Sequence, residues 1–361
     1  MVGRLPIALA VVGLALAQTA EQKPAVADPA RSAAVQPKGP GAPAEVQPQK
    51  PIQVQVNEVI VPVTVTDEKN RFVSNLDAKD FRIFDEGKEQ HMHFFSREHN
   101  QPVVVGFLID LSNATRLHWK TYQDAAIELV LNLLPGDKKF GGYLVTYGNE
   151  AELAVDTTSD SDPIVEKLRK MKPGGGAALY DAIYLACQKR HVVAGEPFDP
   201  RRVLIIIGDG HDTASKKSLE EVLELAQRNL VTVYGMSTVG FGFNAEGEKN
   251  LTKLAEETGG RVYYPLQGLY SSISGYLSTP SDDGNYAIPV GSGGYAAEVS
   301  GGIFKAVADI AGEVTTQYIL RYTPDVNPKS EGKVFRNIKV AVNLPNVKIR
   351  ARKGYYPVML P

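Results

Sequence analysis

The sequence predicts a doubly wound, mostly parallel α/β sheet that is inserted into, or flanked by, a small antiparallel β-sandwich. Residues 101–265 alternate between apolar runs and amphipathic stretches, which is typical of a parallel sheet with helices on both faces. The runs 103–109 and 203–207 contain no polar residue, as expected of strands buried on both faces. Within residues 52–98, the runs 52–56 and 59–65 alternate with period two instead, and β-strands are also predicted within residues 315–357, on the other side of the α/β segment.

Residues 1–17 are interpreted as a signal peptide that is cleaved after export. Arg4 precedes an apolar run over residues 5–16, and the small residues Ala15 and Ala17 form an A-x-A-type cleavage site. The run is too short to serve comfortably as a permanent membrane span, so we expect no stable span after cleavage. An uncleaved N-terminal anchor is the alternative.

The composition excludes several classes of partner and site. Residues 18–51 are rich in Pro, Ala, Gln and Lys, which predicts a disordered linker.

The net charge is −2 with no basic run, so we expect no nucleic-acid partner, because phosphate binding needs clustered Lys and Arg. Cys187 is the only cysteine, which excludes an intrachain disulfide, and no Cys/His cluster suggests zinc.

The two flanking β segments are predicted to form one sandwich, because three C-terminal strands alone would make a marginal sheet. Pro62 interrupts the run 59–65 and predicts an edge strand or a bulge. Residues 81–84 and 91–95 are expected to pair across a hairpin turn at residues 85–88. The C-terminal strands are expected at 316–322, 335–342 and 347–352.

The α/β domain is predicted over residues 101–314. Pro163 in a first turn and a capping box from Ser218 to Glu221 mark two helix starts. Residues 267–300 are rich in Gly, Ser and Tyr and are interpreted as a long surface insertion. Helices are expected at 122–134, 162–171, 179–190, 218–229, 250–258 and 304–312, and strands at 103–109, 140–147, 203–208, 231–236 and 261–264.

Polar side chains follow both buried strands. Asp110 and Ser112 come after the first strand, and Asp209 follows the second. In open α/β sheets, ligands bind just beyond the carboxyl ends of the strands, so these residues are expected at one edge. Two carboxylates there would repel each other unless a cation or a shared proton intervened. Oxygen-only ligands favour a hard cation, so we predict Mg²⁺ at Asp110, Ser112 and Asp209.

These motifs resemble a von Willebrand factor A-type (vWA) domain, which has a Rossmann-like fold: Asp-x-Ser after a strand, a Gly-rich loop before a helix, and Asp-Gly-x-Asp after a later strand. The resemblance implies a metal-ion-dependent adhesion site for Mg²⁺ or a related ion, whose shell is completed by a carboxylate of a protein partner. More closely, the chain resembles the vWA-related proteins exported by Acidobacteria. The segments that carry this closer resemblance are 61–67, 76–81, 178–183, 257–260 and 350–356.

The chain departs from the family pattern at two of the five expected metal ligands. Ala114 replaces the second Ser of Asp-x-Ser-x-Ser, and Ala177 replaces a Thr of the Gly-rich loop. Water would have to stand in for both hydroxyls, since Thr115 lies one residue late, and the affinity for Mg²⁺ would fall. The resemblance therefore implies an exported, non-enzymatic adhesion module with a degenerate site, located in the periplasm, at the cell surface or outside the cell.

Two alternatives remain at this point. The first is a structural or interaction scaffold with a vestigial site, in which Asp110 and Asp209 cap helices or bond loop amides. The second is a serine hydrolase using Ser112 and His211, although Ser112 does not lie in a Gly-x-Ser-x-Gly turn. No phosphate-binding motif follows the first α/β strand, so we expect no nucleotide site.

Overall fold

The chain divides into two units, Met1–Gln53 and Val54–Pro361. The predicted signal peptide and linker lie outside the residues that the structure describes, as do residues 52–57 and most of the predicted insertion. None of the described helices combines the length and the apolar character needed to cross a bilayer. The computed structural model describes residues 58–97, 101–188, 200–238, 246–266, 293–326 and 333–357.

The second unit contains one mixed sheet and two antiparallel sheets. Its helices are α1 (Trp119–Leu133), α2 (Asp162–Lys170), α3 (Leu179–Cys187), α4 (Leu219–Arg228), α5 (Glu246–Thr258) and α6 (Gly293–Thr316). Its strands are β1 (Val59–Asp67), β2 (Phe81–Asp85), β3 (Lys88–Gln90), β4 (Met92–Ser96), β5 (Val103–Asp110), β6 (Phe140–Tyr147), β7 (Ala151–Thr158), β8 (Arg201–Gly208), β9 (Val231–Ser237), β10 (Val262–Tyr263), β11 (Tyr318–Tyr322), β12 (Arg336–Val342), β13 (Val347–Ala351) and β14 (Gly354–Tyr355).

The mixed sheet has the strand order β10-β9-β8-β5-β6-β7 and is parallel except at β7. All eight residues of β5 are buried, because β5 lies between β6 and β8 and both faces of the sheet are covered. On one face Phe107 and Ile109 pack against α1 and α6. On the other face Val104 and Leu108 pack against α3, α4 and α5. The predicted doubly wound α/β architecture is confirmed.

The flanking strands form two four-stranded sheets, with the orders β13-β1-β11-β4 and β14-β12-β2-β3. Each sheet combines strands that precede the α/β segment with strands that follow it. Apolar side chains from both sheets fill the space between them, including Val61, Val63, Phe81 and Leu320. The predicted antiparallel sandwich is thus confirmed, whereas the residue bounds of the domains stay predictions.

The predicted hairpin return over residues 91–95 is wrong. The turn has left-handed residues at Glu86 and Gly87, as expected for a tight hairpin, but β3 is short and only Lys88–Gln90 pairs with β2. The chain then crosses to the other sheet, where β4 pairs with β11. This crossing places Phe95 against the rings of Phe81 and Tyr318, at centroid distances of 5.6 and 5.9 Å.

Pro62 does not mark an edge strand, because β1 lies between β13 and β11. Pro62 faces Ile319 of β11, but the pairing with β13 begins only at Val63. At Pro62 the strand therefore has a neighbour on one side only, which is where a residue without an N–H is tolerated. Pro62 thus lies at a position that is paired on one side only, as expected of a proline in a strand, although β1 as a whole is not an edge strand.

Other differences concern the ends of elements. Helix α3 stops at Cys187 rather than at residue 190, and Gln188 is extended. Helix α6 begins at Gly293, so residues 293–300 of the predicted insertion are helical. Strands β7 and β14 were not predicted, since β7 is only half-buried and β14 has two residues.

A buried carboxylate joins the sandwich to the α/β sheet. Glu313 of α6 is fully buried and accepts a hydrogen bond from Thr64 of β1 at 3.1 Å and from Tyr263 of β10 at 2.8 Å. Arg350 of β13 donates to the same carboxylate, and Nε of Arg261 lies 3.1 Å from it. The carboxylate thus has partners in both parts of the unit.

Candidate functional site

The structure brings Asp110 and Asp209 to the same edge of the mixed sheet. β5 and β8 are parallel neighbours, with Ile109 opposite Ile207, so the residues that follow both strands emerge side by side. The negative charge of Asp209 contributes to the raised pKa of Asp110, as expected of carboxylates in proximity. Both carboxylates that the sequence placed at this edge are therefore there.

Asp110 is the more buried of the two carboxylates, with 1% of its surface exposed. Its Oδ1 accepts a hydrogen bond from the amide of Ser112 at 2.6 Å, whereas its Oδ2 is buried without a partner in the described part of the chain. Burial is the largest cause that raises the pKa of Asp110 to about 6, and the charge of Asp209 adds to it, while hydrogen bonds from the amide and the hydroxyl of Ser112 and from the Asp209 amide oppose this shift. Asp110 therefore presents an unsatisfied acceptor oxygen at the edge of the sheet.

The loop after β5 is shaped by its own hydroxyl groups. Ser112 is 5% exposed, and its Oγ accepts a hydrogen bond from the amide of Ala114 at 3.3 Å. Thr115 donates from its hydroxyl to the carbonyls of Asp110 and Ser112, at 3.3 and 3.0 Å. The Thr115 hydroxyl is thus used to hold the backbone, so it does not take the place of the hydroxyl missing at Ala114.

Asp209 lies in a tight turn beneath a histidine. Its Oδ1 accepts from the amide of His211 at 2.9 Å, and its Oδ2 lies 3.2 Å from Nδ1 of the same residue. Gly210 has φ +79°, and a Cβ at that position would overlap the backbone of Gly247 in α5. Among the contacts of the described residues, none joins His211 to Ser112, so the pair proposed for a hydrolase is not assembled.

The Gly-rich loop is clamped against the loop after β5. The amide of Gly174 donates to the carbonyl of Leu111, and the amide of Asn113 donates to the carbonyl of Gly175 at 3.1 Å. Gly175 has φ +98°, which favours glycine there. The amide of Gly176 donates to Asn149 Oδ1 at 2.6 Å. The amides of Gly174 and Gly176 thus have partners within the protein, and the loop holds this edge of the sheet together.

Ala177 is buried at the position where the family has a threonine. Its amide donates to Oγ1 of Thr213 at 2.9 Å. Thr213 and Asn149 were missed by sequence reasoning, because their roles follow from contacts between loops that are distant in sequence. Asp212 is structural: it accepts from the amide of Tyr180 at 2.9 Å and from the hydroxyl of Ser215, and so caps α3.

Two further polar residues near this edge were not predicted. Tyr147, the last residue of β6, is fully buried, and its hydroxyl has no partner in the described part of the chain. Burial raises its pKa well above the usual range, and the charges of the nearby aspartates add to this. Glu248 of α5 is 8% exposed and accepts a hydrogen bond from Ser237 at 3.4 Å; burial is the main cause of its raised pKa. Tyr147 lies opposite Asp110 in the register of β6 against β5, and no local pattern in the sequence gives that register.

The donor set fits a hard cation in part. The unpartnered Oδ2 of Asp110 is a buried acceptor that a cation or a proton would satisfy, and Asp209 and Ser112 supply further oxygens nearby. Ala114 and Ala177 supply none, and within the described ranges no group of three or more His, Cys, Asp and Glu side chains is arranged to hold a metal. Mg²⁺ at this edge would therefore keep several waters, which this ion tolerates.

Residues 105–267 match the family model of the von Willebrand factor type A domain. Solved structures to which this chain is similar include the conserved hypothetical protein BatB from Bacteroides thetaiotaomicron, with 16% identity over 59% of this chain and 97% of that chain and a TM-score of 0.35. An aerotolerance-related membrane protein from Bacteroides fragilis has 18% identity over 58% of this chain and 99% of that chain, with a TM-score of 0.37.

Proximal thread matrix protein 1 from the mussel byssus, solved with a zinc-occupied MIDAS motif, has 16% identity over 47% of this chain and 42% of that chain, with a TM-score of 0.36. The comparison with curated proteins gives no match. The family model spans the alternation of strands and helices from β5 to β10 and both loops that carry the aspartates. Residues 105–267 of this chain are a von Willebrand factor type A domain.

Proposed function

We propose that the chain is an exported, non-enzymatic protein-binding module that recognises its partner at the edge formed by Asp110, Ser112 and Asp209, with the help of a weakly held Mg²⁺. Domains of this type generally mediate protein interaction and adhesion. Export is supported by the signal-peptide pattern of residues 1–17 and by the resemblance to exported vWA-related proteins of Acidobacteria.

The observation that carries the metal proposal is the buried, unpartnered Oδ2 of Asp110 beside a second carboxylate. A desolvated carboxylate oxygen without a partner is costly, and a cation offsets that cost. Asp110, Ser112 and Asp209 would hold the ion, and the ion would supply positive charge for a carboxylate of the partner. The Ser112 amide keeps Asp110 oriented toward this edge.

The non-enzymatic part of the proposal is supported by the geometry of the candidate nucleophile. The Ser112 hydroxyl accepts from a loop amide and bonds the Asp110 carboxylate, whereas His211 contacts Asp209 instead of Ser112. The histidine base of a Ser-His pair is therefore not in contact with this hydroxyl among the described residues. We expect no labelling by a serine-reactive fluorophosphonate, and stoichiometric labelling that Ser112→Ala abolishes would contradict this part.

Metal binding is tested by isothermal titration with Mg²⁺ and Mn²⁺. We expect the wild-type chain to bind and Asp110→Ala to lose binding. The matched control is Asp181→Ala, because Asp181 is also a loop-bonded carboxylate but accepts from the amides of Lys216 and Lys217. If neither ion gives heat or changes the melting temperature of the wild type, the metal proposal is wrong.

A scaffold with a vestigial site is the second candidate, and one observation favours it. Asp110 and Asp209 each accept a hydrogen bond from a backbone amide two residues later, so both carboxylates also shape their loops. In that case a partner captured from the native envelope stays bound when a chelator is added. If the chelator releases the partner, and if Asp110→Ala does not retain the partner, the metal-dependent module is supported.

A further inference from the structure

We propose that Tyr147 is a positioning residue for Asp110: its phenol hydroxyl, which has no partner in the described part of the chain, turns to donate to Asp110 Oδ2 and holds this carboxylate ready for the ion. The consequence for metal affinity rests on the proposed function above. The hydrogen bond itself does not, and it can be tested in a chelator.

The register of three neighbouring strands places these groups together. Tyr147 is paired with Asp110 across β6 and β5, and the pairing of Ile109 with Ile207 puts Gly208 of β8 next on the other side. Side chains in register on adjacent strands share one face of a sheet. A Cβ on Gly208 would overlap the Tyr147 hydroxyl and would lie 3.2 Å from Asp110 Oδ2. The phenol therefore reaches across β5, past Asp110, to the backbone of β8.

Both groups need a partner, and each has what the other lacks. The Tyr147 hydroxyl is a buried donor and Asp110 Oδ2 is a buried acceptor, and neither is satisfied by another group in the described ranges. Both contact the same glycine position. The two atoms are not hydrogen-bonded to each other in the structure either, so the proposed bond requires one of the side chains to rotate. The aspartate would then be held by Tyr147 at Oδ2 and by the Ser112 amide at Oδ1.

Hydrogen bonds of this kind set the affinity of a metal site. Carboxylates that bind metals are themselves held by neighbouring donors, and removal of such a donor typically lowers metal affinity by about 10- to 100-fold. At this edge the loss of metal affinity should be large, because Ala114 and Ala177 supply no side-chain oxygen and Asp110 must contribute more of the binding energy.

The chain supplies a matched control four residues away on the same strand. Tyr143 also reaches across β5, where its hydroxyl would lie 2.6 Å from a Cβ on Gly106, but it donates to the carbonyl of Ala186 at 3.0 Å. Tyr147→Phe should weaken Mn²⁺ and Mg²⁺ binding by about 10-fold or more. Tyr143→Phe should lower the melting temperature and leave the dissociation constant unchanged. Wild-type affinity in Tyr147→Phe would overturn the inference.

A double-mutant cycle in a chelator separates this inference from the proposed function. Urea unfolding is measured for the wild type, Tyr147→Phe, Asp110→Ala and the double variant, and for the same cycle with Tyr143→Phe. We expect coupling in the first cycle and additivity in the second. If the cycle shows coupling but the wild type binds no metal, the hydrogen bond is supported and the metal site is refuted. Metal binding with additive effects refutes the role of Tyr147 alone.

Discussion

Gly208 is the residue that permits the close approach of Tyr147 and Asp110. Its missing side chain makes room for the Tyr147 hydroxyl, and a Cβ there would also lie 3.0 Å from Cβ of Asp110. A backbone position filled from two sides cannot accept even a methyl group without a shift of its neighbours. At the scale of single residues, the arrangement of side chains at this edge thus depends on the missing side chain of Gly208 as well as on the two carboxylates.

We expect Gly208→Ala to lower the free energy of unfolding by about 1–3 kcal/mol, as overpacking of a filled core does. Gly174→Ala is the control, because a Cβ on Gly174 meets nothing within 4 Å. Urea unfolding measures both changes. The cost of Gly208→Ala should shrink in a Tyr147→Phe background, and an unchanged cost would show that the hydroxyl is not the obstacle.

The raised pKa of Asp110 predicts a dependence of stability on pH in the absence of metal. A carboxyl with a pKa of 3.8 when unfolded and about 6 when folded contributes stability that is fully present below pH 3.8 and is lost as the pH rises through about 6. The loss is on the order of 3 kcal/mol at most. Asp110→Asn should remove this part of the pH dependence, measured by urea unfolding between pH 4 and 8 in a chelator. Parallel curves for both proteins would contradict it.

At the scale of elements, the strands that could be predicted were those whose own sequence shows that they are buried. β5 is apolar up to Asp110 and β8 is apolar from Val203 to Ile207, and the residues after these runs gave the positions of Asp110 and Asp209. β7 is half-buried on one edge, so its mixed sequence carries a weak signal. The crossing of the chain between β3 and β4 was not predictable, because pairing with β11 depends on residues more than two hundred positions away.

The residues of the candidate site also divide into those that the sequence predicts and those that it does not. Asp110, Ser112 and Asp209 follow from strand ends and motif spacing. Tyr147 requires the register of β6 against β5, and Asn149 and Thr213 require the contact of separate loops with the Gly-rich loop. Such contacts belong to the tertiary structure, so no local pattern in the sequence reports them.

Two helix starts with a serine give a direct test of capping. Ser218 accepts from the amide of Glu221 at 3.2 Å, and Glu221 accepts from the amide of Ser218 at 2.9 Å, as the sequence predicted. Ser161 precedes α2 but makes no side-chain cap bond. Ser218→Ala should lower the free energy of unfolding by about 1 kcal/mol, and Ser161→Ala by less than about 0.5 kcal/mol. Equal effects in thermal or urea unfolding would contradict the assigned caps.

At the scale of the whole molecule, the buried Glu313 ties the sandwich to the vWA domain. Its partners come from β1, β10 and β13, so both parts lose contacts together if the carboxylate is changed. Removing one member of a buried ionic cluster leaves the remaining charges without compensation. We therefore expect the two parts to unfold together.

Glu313→Gln should lower the free energy of unfolding by about 3–5 kcal/mol, because Arg261 and Arg350 would keep their charges in a largely buried setting. Glu298→Gln on the exposed face of the same helix is the control and should be nearly neutral. Calorimetry follows both variants. A Glu313→Gln protein that melts like the wild type would refute the role of this cluster.

The pairing of β1 with β11 and β13 has a consequence for biogenesis. While the polypeptide emerges from the ribosome or from a translocation channel, β1 and β2 are made first and their partner strands last. β3 can pair with one edge of β2 at once, but both edges of β1 and the other edge of β2 must wait during nearly the whole of synthesis for strands near the carboxyl terminus. A chain truncated before β11 would leave β1 without either neighbour, which makes early termination a source of aggregation rather than of a smaller folded protein.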